Sequence, residues 1–335
     1  MNNNKLNATT KSVEKVLPKI KKIDRLINSL STTELITPLF RKYKSNNFKK
    51  TRFGYATIVF LSEDYIPAAL ALGYSLKKYK NKYNKICLVQ DVPVYKYING
   101  EKKYFPGVSK KTISDLLKMF DIVYGINLLQ INLSDKNNRH FTVRYKHYKN
   151  ISIYPTKSQV LGLIEYEQII FLDASTVVNK NIDYMFKLYK GNSYLWESYL
   201  KKMNMGLHGA VFIFKPSKFF YTKAMYLTKY YQKIFGSLYF ERGIDETVLY
   251  FSIYPNWSKK LIAKWTRCTD TYRHKNCPIY HYQLHKPFKK SVNEINVEWS
   301  FVIWDSIVKD FLNNYPKFIK YYKDIKNFRN VNYIN

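Results

Sequence analysis

The sequence predicts an α/β domain with a central, mostly parallel sheet flanked by helices, and three observations predict it. Short apolar, β-branched runs alternate with segments of helical period from Phe53 to Ile253. Several of those runs are apolar on every residue, the sign of strands buried on both faces under crossover helices. Hydrophobic residues are 46% and aromatics 17% of 335 residues, enough for a large core. A single core stops growing near about 250–300 residues, so one main domain with appendages is expected. The divisions are 1–50, an N-terminal helical arm and basic linker; 51–290, the main domain; and 291–335, a helical extension.

In the arm, Val13, Val16, Leu17, Ile20, Ile23 and Ile27 recur mostly three or four apart, an amphipathic helix that Pro18 starts or kinks. Arg41 to Arg52 reads as a linker. Phe53 to Leu61 is a buried strand, and Ser62 is the N-cap of a helix reaching about Tyr79, with Glu63 and Asp64 in its first turn. Asn84–Gln90 is a strand, Ser109–Phe120 a helix and Ile122–Ile126 a third strand. Thr156–Tyr166 is helical, and Gln168–Leu172 is a strand that stops at Asp173. Strands follow at Tyr194–Glu197 and Gly209–Phe214, then helices from Ser217 to about Phe235 and from Asp245 to Ile253. The extension carries Trp299, Trp304 and one or two helices that pack on the domain.

Fifty-six Lys and Arg against 24 Asp and Glu give a formal charge of +32, which attracts polyanions. Lysine is spread along the chain rather than gathered in a stripe, and it travels with Asn, Ile and Tyr, so base composition of the gene accounts for much of the excess. Cys87, Cys268 and Cys277 form no C-x-x-C pair, which argues against a disulfide scaffold or a zinc site and fits a reducing compartment. No run approaches the roughly 18 apolar residues of a membrane span, and Met1 to Lys15 has no apolar signal core, so a cytoplasmic protein is expected. With 11 glycines the chain has no G-x-x-x-x-G-K-[ST], no G-x-G-x-x-G and no G-x-S-x-G. ATPase, GTPase and dinucleotide-dependent oxidoreductase readings fall, and a ligand here must be held by side chains.

The most informative stretch runs from Gln168 to Asp183. An apolar strand delivers Asp173 to its C-terminal tip, where α/β sheets bind ligands, and the small Ala174 leaves approach open. A carboxylate there can hold a hard divalent cation that bridges to phosphate oxygens. The stretch resembles the family 8 glycosyltransferases, the group of glycogenin and galactinol synthase, in which this strand ends in Asp-x-Asp. Five more features resemble that family in the same order. They are Thr57–Leu76 with Tyr65; Lys157, sixteen residues before Asp173; Gly209-Ala-Val-Phe-Ile-Phe-Lys-Pro-Ser217; Gly243-Ile-Asp245-Glu-Thr-Val-Leu249; and His281-Tyr-Gln-Leu-His-Lys286-Pro-Phe288. The likeness covers roughly residues 53 to 290.

The resemblance implies a GT-A-like nucleotide-sugar fold and a retaining transfer of a hexose from a UDP-sugar to a glycan or protein hydroxyl. It implies Tyr65 and Ser62 at the nucleotide, Asp173 near ribose and metal, and His281 and Ser175 as further ligands of Mn²⁺ or Mg²⁺. It places Lys286 and Lys157 on diphosphate and leaving-group charge, and Asp245 beside the donor sugar. The sequence departs from the pattern at Ser175, where the family has its second carboxylate, and in the closing motif, one residue short between His281 and Lys286. Those departures keep a second class open, a degenerate module that binds without turnover. A polyanion or nucleic-acid binder is the third, and a homodimer is compatible with each.

Overall fold

A computed structural model of the chain describes residues 3–60, 63–98, 101–131, 151–189, 194–197, 207–236, 244–256, 267–269, 277–282, 287–288 and 299–322. Among them, α1 is Asn3–Asn28, β1 Arg41–Lys44, β2 Phe53–Val59, α2 Ile66–Lys78, β3 Asn84–Gln90, β4 Val94–Ile98, β5 Glu101–Phe105, α3 Lys110–Leu116 and β6 Ile122–Ile126. After a 3-10 segment at Ile151–Gly162 come β7 Gln168–Leu172, β8 Thr176–Val178, α4 Tyr184–Leu188, β9 Tyr194–Glu197, β10 Leu207–Phe214, α5 Lys218–Lys229, α6 Tyr231–Phe235 and α7 Ile244–Ile253. β11 Arg267–Thr269, β12 Ile279–His281, α8 Trp299–Asn314 and a 3-10 helix at Pro316–Tyr321 follow.

The main sheet runs β1-β6-β3-β2-β7-β10-β9. Its four central strands are parallel, and β1, β10 and β9 add antiparallel edges. This is the mixed, mostly parallel sheet that the unbroken apolar runs predict. Alternation along β2 divides the core: Ala56 and Ile58 face one layer, with the 3-10 segment, α5, α6 and α7, whereas Val59 faces the layer of α2, α3 and α8. Gly73 lets α2 lie close to α3's end, because a Cβ there would meet Met119 Cβ at 2.9 Å.

The structure departs from the expectations at several points. Arg41–Lys44 is not linker but strand β1, held to the sheet by Arg41 and Tyr43, which both hydrogen-bond Asp91. α1 does not start at Pro18 but carries it inside, and the expected helix 156–166 is a 3-10 segment starting at Ile151 and ending at Gly162. The hairpin β4–β5 and the three-stranded sheet β11-β12-β8 were not foreseen, being short strands without a long apolar run. Cys277 is disulfide-bonded, against the expectation from sparse cysteine, while Cys87 is free and buried and burial pushes its thiol up. Among the described residues no helix is long and apolar enough to cross a membrane.

α1 buries Val16, Ile20, Ile23 and Ile27 against α5 and α6. An ion pair fixes it there: Lys223 Nζ, on a fully buried side chain, meets Asp24 Oδ1 at 2.5 Å and donates to the Tyr254 carbonyl at 2.8 Å. Burial pushes the Lys223 ammonium down and Asp24 opposes it. Asp24→Ala leaves that ammonium uncompensated and is expected to cost about 3 kcal/mol, whereas Lys223→Met with Asp24→Leu costs far less. Chemical denaturation of the two variants checks the difference.

Candidate active site

The site stands where β7 ends. Asp173 leaves the strand with its backbone N–H donated to the Ala210 carbonyl of β10 at 2.8 Å, so its side chain projects from the C-terminal edge of the parallel strands. The turn is closed by Thr176, whose N–H and Oγ both donate to the Asp173 carbonyl, at 2.9 and 2.7 Å. That turn feeds β8, and β8 pairs with β12 so that Thr176 lies opposite His281. The Tyr282 N–H donates to the Ser175 carbonyl at 3.0 Å, closing the ladder beside the turn. Two segments more than one hundred residues apart, both named from the sequence, are thereby joined, and His281 is buried at the junction.

Lys157 reaches the same point from the 3-10 segment. Its ammonium is 3.4 Å from Asp173 Oδ2 and 2.9 Å from Asp245 Oδ2, on a side chain only 13% exposed. Asp245 and Glu246 stand in the first turn of α7, where the helix N-terminus favours carboxylates. Burial pushes the Lys157 ammonium down, but Asp245 first, then Asp173 and Glu246, outweigh it and hold its pKa well above the ordinary lysine value. Lys157 is therefore a permanent cation whose charge is already shared between two carboxylates. It fixes their spacing more than it offers a loose clamp for phosphate.

Sequence reasoning gave no role to Glu246 and none to the bare backbone at Gly209. The Gly209 N–H donates to Glu246 Oε1 at 2.9 Å, and a Cβ on Gly209 would lie 3.2 Å from Glu246 Cγ and 3.5 Å from Lys157 Nζ. The signal was present, since Glu246 adjoins Asp245 in the quoted stretch, but a second acid beside the first reads equally as a helix-start preference.

The divalent ion implied by resemblance does not fit the described donors. Ser175, expected as a ligand, donates its N–H and its hydroxyl to Asp173 Oδ1, each at 3.1 Å. The other Asp173 oxygen faces Lys157, whose ammonium lies between Asp173 and Asp245 and already balances their charge. Among the described residues no group of three or more His, Cys, Asp or Glu side chains converges as a metal site would require.

Tyr65 lies at the start of α2, beyond the end of β2, half-buried with its ring 5.2 Å from that of Phe288. The closing motif thus returns to the mouth of the first strand. Ser62 and Lys286 lie outside the described residues.

No protein-family model matches the chain. It is 28% identical over 136 residues to the uncharacterized protein R707 of Acanthamoeba polyphaga mimivirus, a match spanning 41% of this chain and 40% of that one. Among solved structures it is similar to the bifunctional glycosyltransferase WbbM in its apo form, with TM-score 0.52 and 12% identity over 84% of this chain and 53% of that one. It is also similar to the glycosyltransferase GlyE of Streptococcus pneumoniae TIGR4, with TM-score 0.49 and 16% identity over 80% of this chain and 64% of that one. The chain thus spans about half to two thirds of those proteins. The mixed, mostly parallel sheet with helices on both its faces is the GT-A fold of glycosyltransferases.

Proposed function

We propose that the chain moves a hexose from a UDP-sugar to a hydroxyl of a glycan or protein acceptor with retention of configuration. The observation that supports this reading is the meeting of Lys157, Asp173 and Asp245, drawn from three separate segments, at the C-terminal edge of the parallel strands. Tyr65 and Ser62 take the uridine side, an aromatic face against a flat base. Asp173 lies toward the ribose, and Lys286 meets the diphosphate. Asp245, with Glu246 behind it, faces the donor sugar, where carboxylate charge favours the positive charge that develops at the anomeric carbon. The bond from that carbon to the diphosphate oxygen breaks with its electron pair leaving on UDP. The acceptor oxygen bonds to the same carbon, and its proton departs with UDP.

Binding of about 1 mM UDP is expected to raise the melting temperature by about 2 °C or more, equally in Mn²⁺ and in chelator. A shift seen only with Mn²⁺ contradicts metal-independent binding, and no shift in either condition contradicts the UDP reading. A module that binds without turnover is the second reading. Ser175, a donor where the resemblance expects a carboxylate, favours it.

A further inference from the structure

The hairpin β4–β5 shows one face to solvent, and that face is aromatic. Tyr95 pairs with Tyr104 across the hairpin and Tyr97 pairs with Lys102. Directly opposite residues share a face, so these four side chains form one surface. The three tyrosines are 59%, 65% and 53% exposed. The rings of Tyr95 and Tyr104 are 5.0 Å apart, and the Lys102 ammonium stands 4.6 Å from the Tyr95 ring. Cross-strand packing of Tyr95 on Tyr104 stabilises the ribbon but does not account for the exposed Tyr97, so the three rings together mark a contact surface.

The other face of the ribbon anchors it beside the candidate site. Phe105 is buried against Leu128 and Ile153, with Val94 and Phe60 alongside. Ile153 belongs to the 3-10 segment that carries Lys157, and Phe60 directly follows β2. The ribbon springs from the end of β3, where the Gln90 side chain holds the carbonyls of Val92 and Phe105, each at 3.2 Å. β3 is two places from β7 in the sheet, about 10 Å at the usual strand spacing. The tyrosine face and Asp173 therefore rise from the same edge of the same sheet.

We infer that this face binds an oligosaccharide, the acceptor or the glycan part of it, with its sugar rings laid on Tyr95, Tyr104 and Tyr97. The inference rests on the transferase reading for the identity of its occupant. Tyrosine presents a flat apolar face for the C–H side of a pyranose and a hydroxyl for its polar rim. A nucleic-acid strand is the less suited occupant, because it needs cations that track its phosphates, and Lys102 is the one cation among the described residues of this face.

The full chain and the variant Tyr95→Ser/Tyr97→Ser/Tyr104→Ser are applied to a printed array of bacterial, plant and animal oligosaccharides, and to a 12-mer oligouridylate at physiological salt. UDP thermal shifts are recorded for both proteins. The wild type is expected to retain a group of related oligosaccharides, the triple variant to lose about tenfold or more of that binding, and the UDP shift to be unchanged. Lys102→Ala is expected to weaken the same binding less. Equal glycan binding by the triple variant overturns the inference, as does a wild type that holds no oligosaccharide or holds only the oligouridylate. Retained glycan binding with no UDP shift in either protein overturns the transferase reading and leaves the tyrosine face standing.

Discussion

Lys157→Met is expected to lower both stability and sugar transfer, the first by about 3–5 kcal/mol and the second by at least roughly a hundredfold. The ammonium is the shared partner of Asp173 and Asp245 in a site that is mostly out of water. Methionine fills the same space but leaves two carboxylates facing each other without a counter-charge. Asp245 is 11% and Asp173 25% exposed at the side chain, so water relieves them only in part. Lys157→Arg retains the charge and regains part of both losses, which a purely volumetric role would not explain. The pH dependence has a definite sign. A lysine whose folded pKa lies above its ordinary 10.5 contributes stability that is complete below that value and is lost only as pH rises through the higher folded one. Lys157 therefore adds no limb to a pH–rate profile in the neutral range, and denaturant melts with initial rates over pH 6 to 9 check this.

Asp173→Asn is the second large effect. Asparagine is nearly isosteric and its carbonyl can still accept from Ser175, so the turn that leads into β8 survives and the melting temperature changes by only a few degrees. Transfer is expected to fall by about a hundredfold or more, because the carboxylate at the strand tip is lost and Lys157 is released toward Asp245 alone. Circular dichroism and initial-rate measurements on one preparation separate the two statements. Equal turnover by Asp173→Asn and wild type would remove Asp173 from the site.

Much of this was legible in the residues, for identifiable reasons. The central strands announced themselves because both of their faces are buried, as in Ile86-Cys87-Leu88-Val89 and Ile169-Ile170-Phe171-Leu172. Asp173 was legible as the abrupt end of such a run, and Lys157 and Asp245 only through the family that their order resembles. The hairpin was not, since its outward face carries Tyr95, Tyr97 and Tyr104 in a Lys-rich stretch that reads as loop. β1 was hidden in the same way: Arg41-Lys-Tyr-Lys44 is a sheet edge whose polar side chains alternate with half-buried ones, and the ion pair of Arg41 with Asp91 cannot be seen from spacing. The donation from Ser175 to Asp173 is likewise beyond sequence. A hydroxyl carries one hydrogen to donate and two lone pairs to offer, and sequence spacing does not show where the hydrogen goes.

The claim on which the rest depends is that the site of Lys157, Asp173 and Asp245 breaks the bond between a sugar and UDP. Release of UDP from a panel of UDP-sugars by the purified full chain, in Mn²⁺, in Mg²⁺ and in chelator, tests it most directly. The prediction is turnover of at least one UDP-hexose, at similar rates in all three conditions and lost in Lys157→Met and Asp173→Asn. A folded wild-type chain that releases no UDP from any of them under any of the three conditions contradicts it.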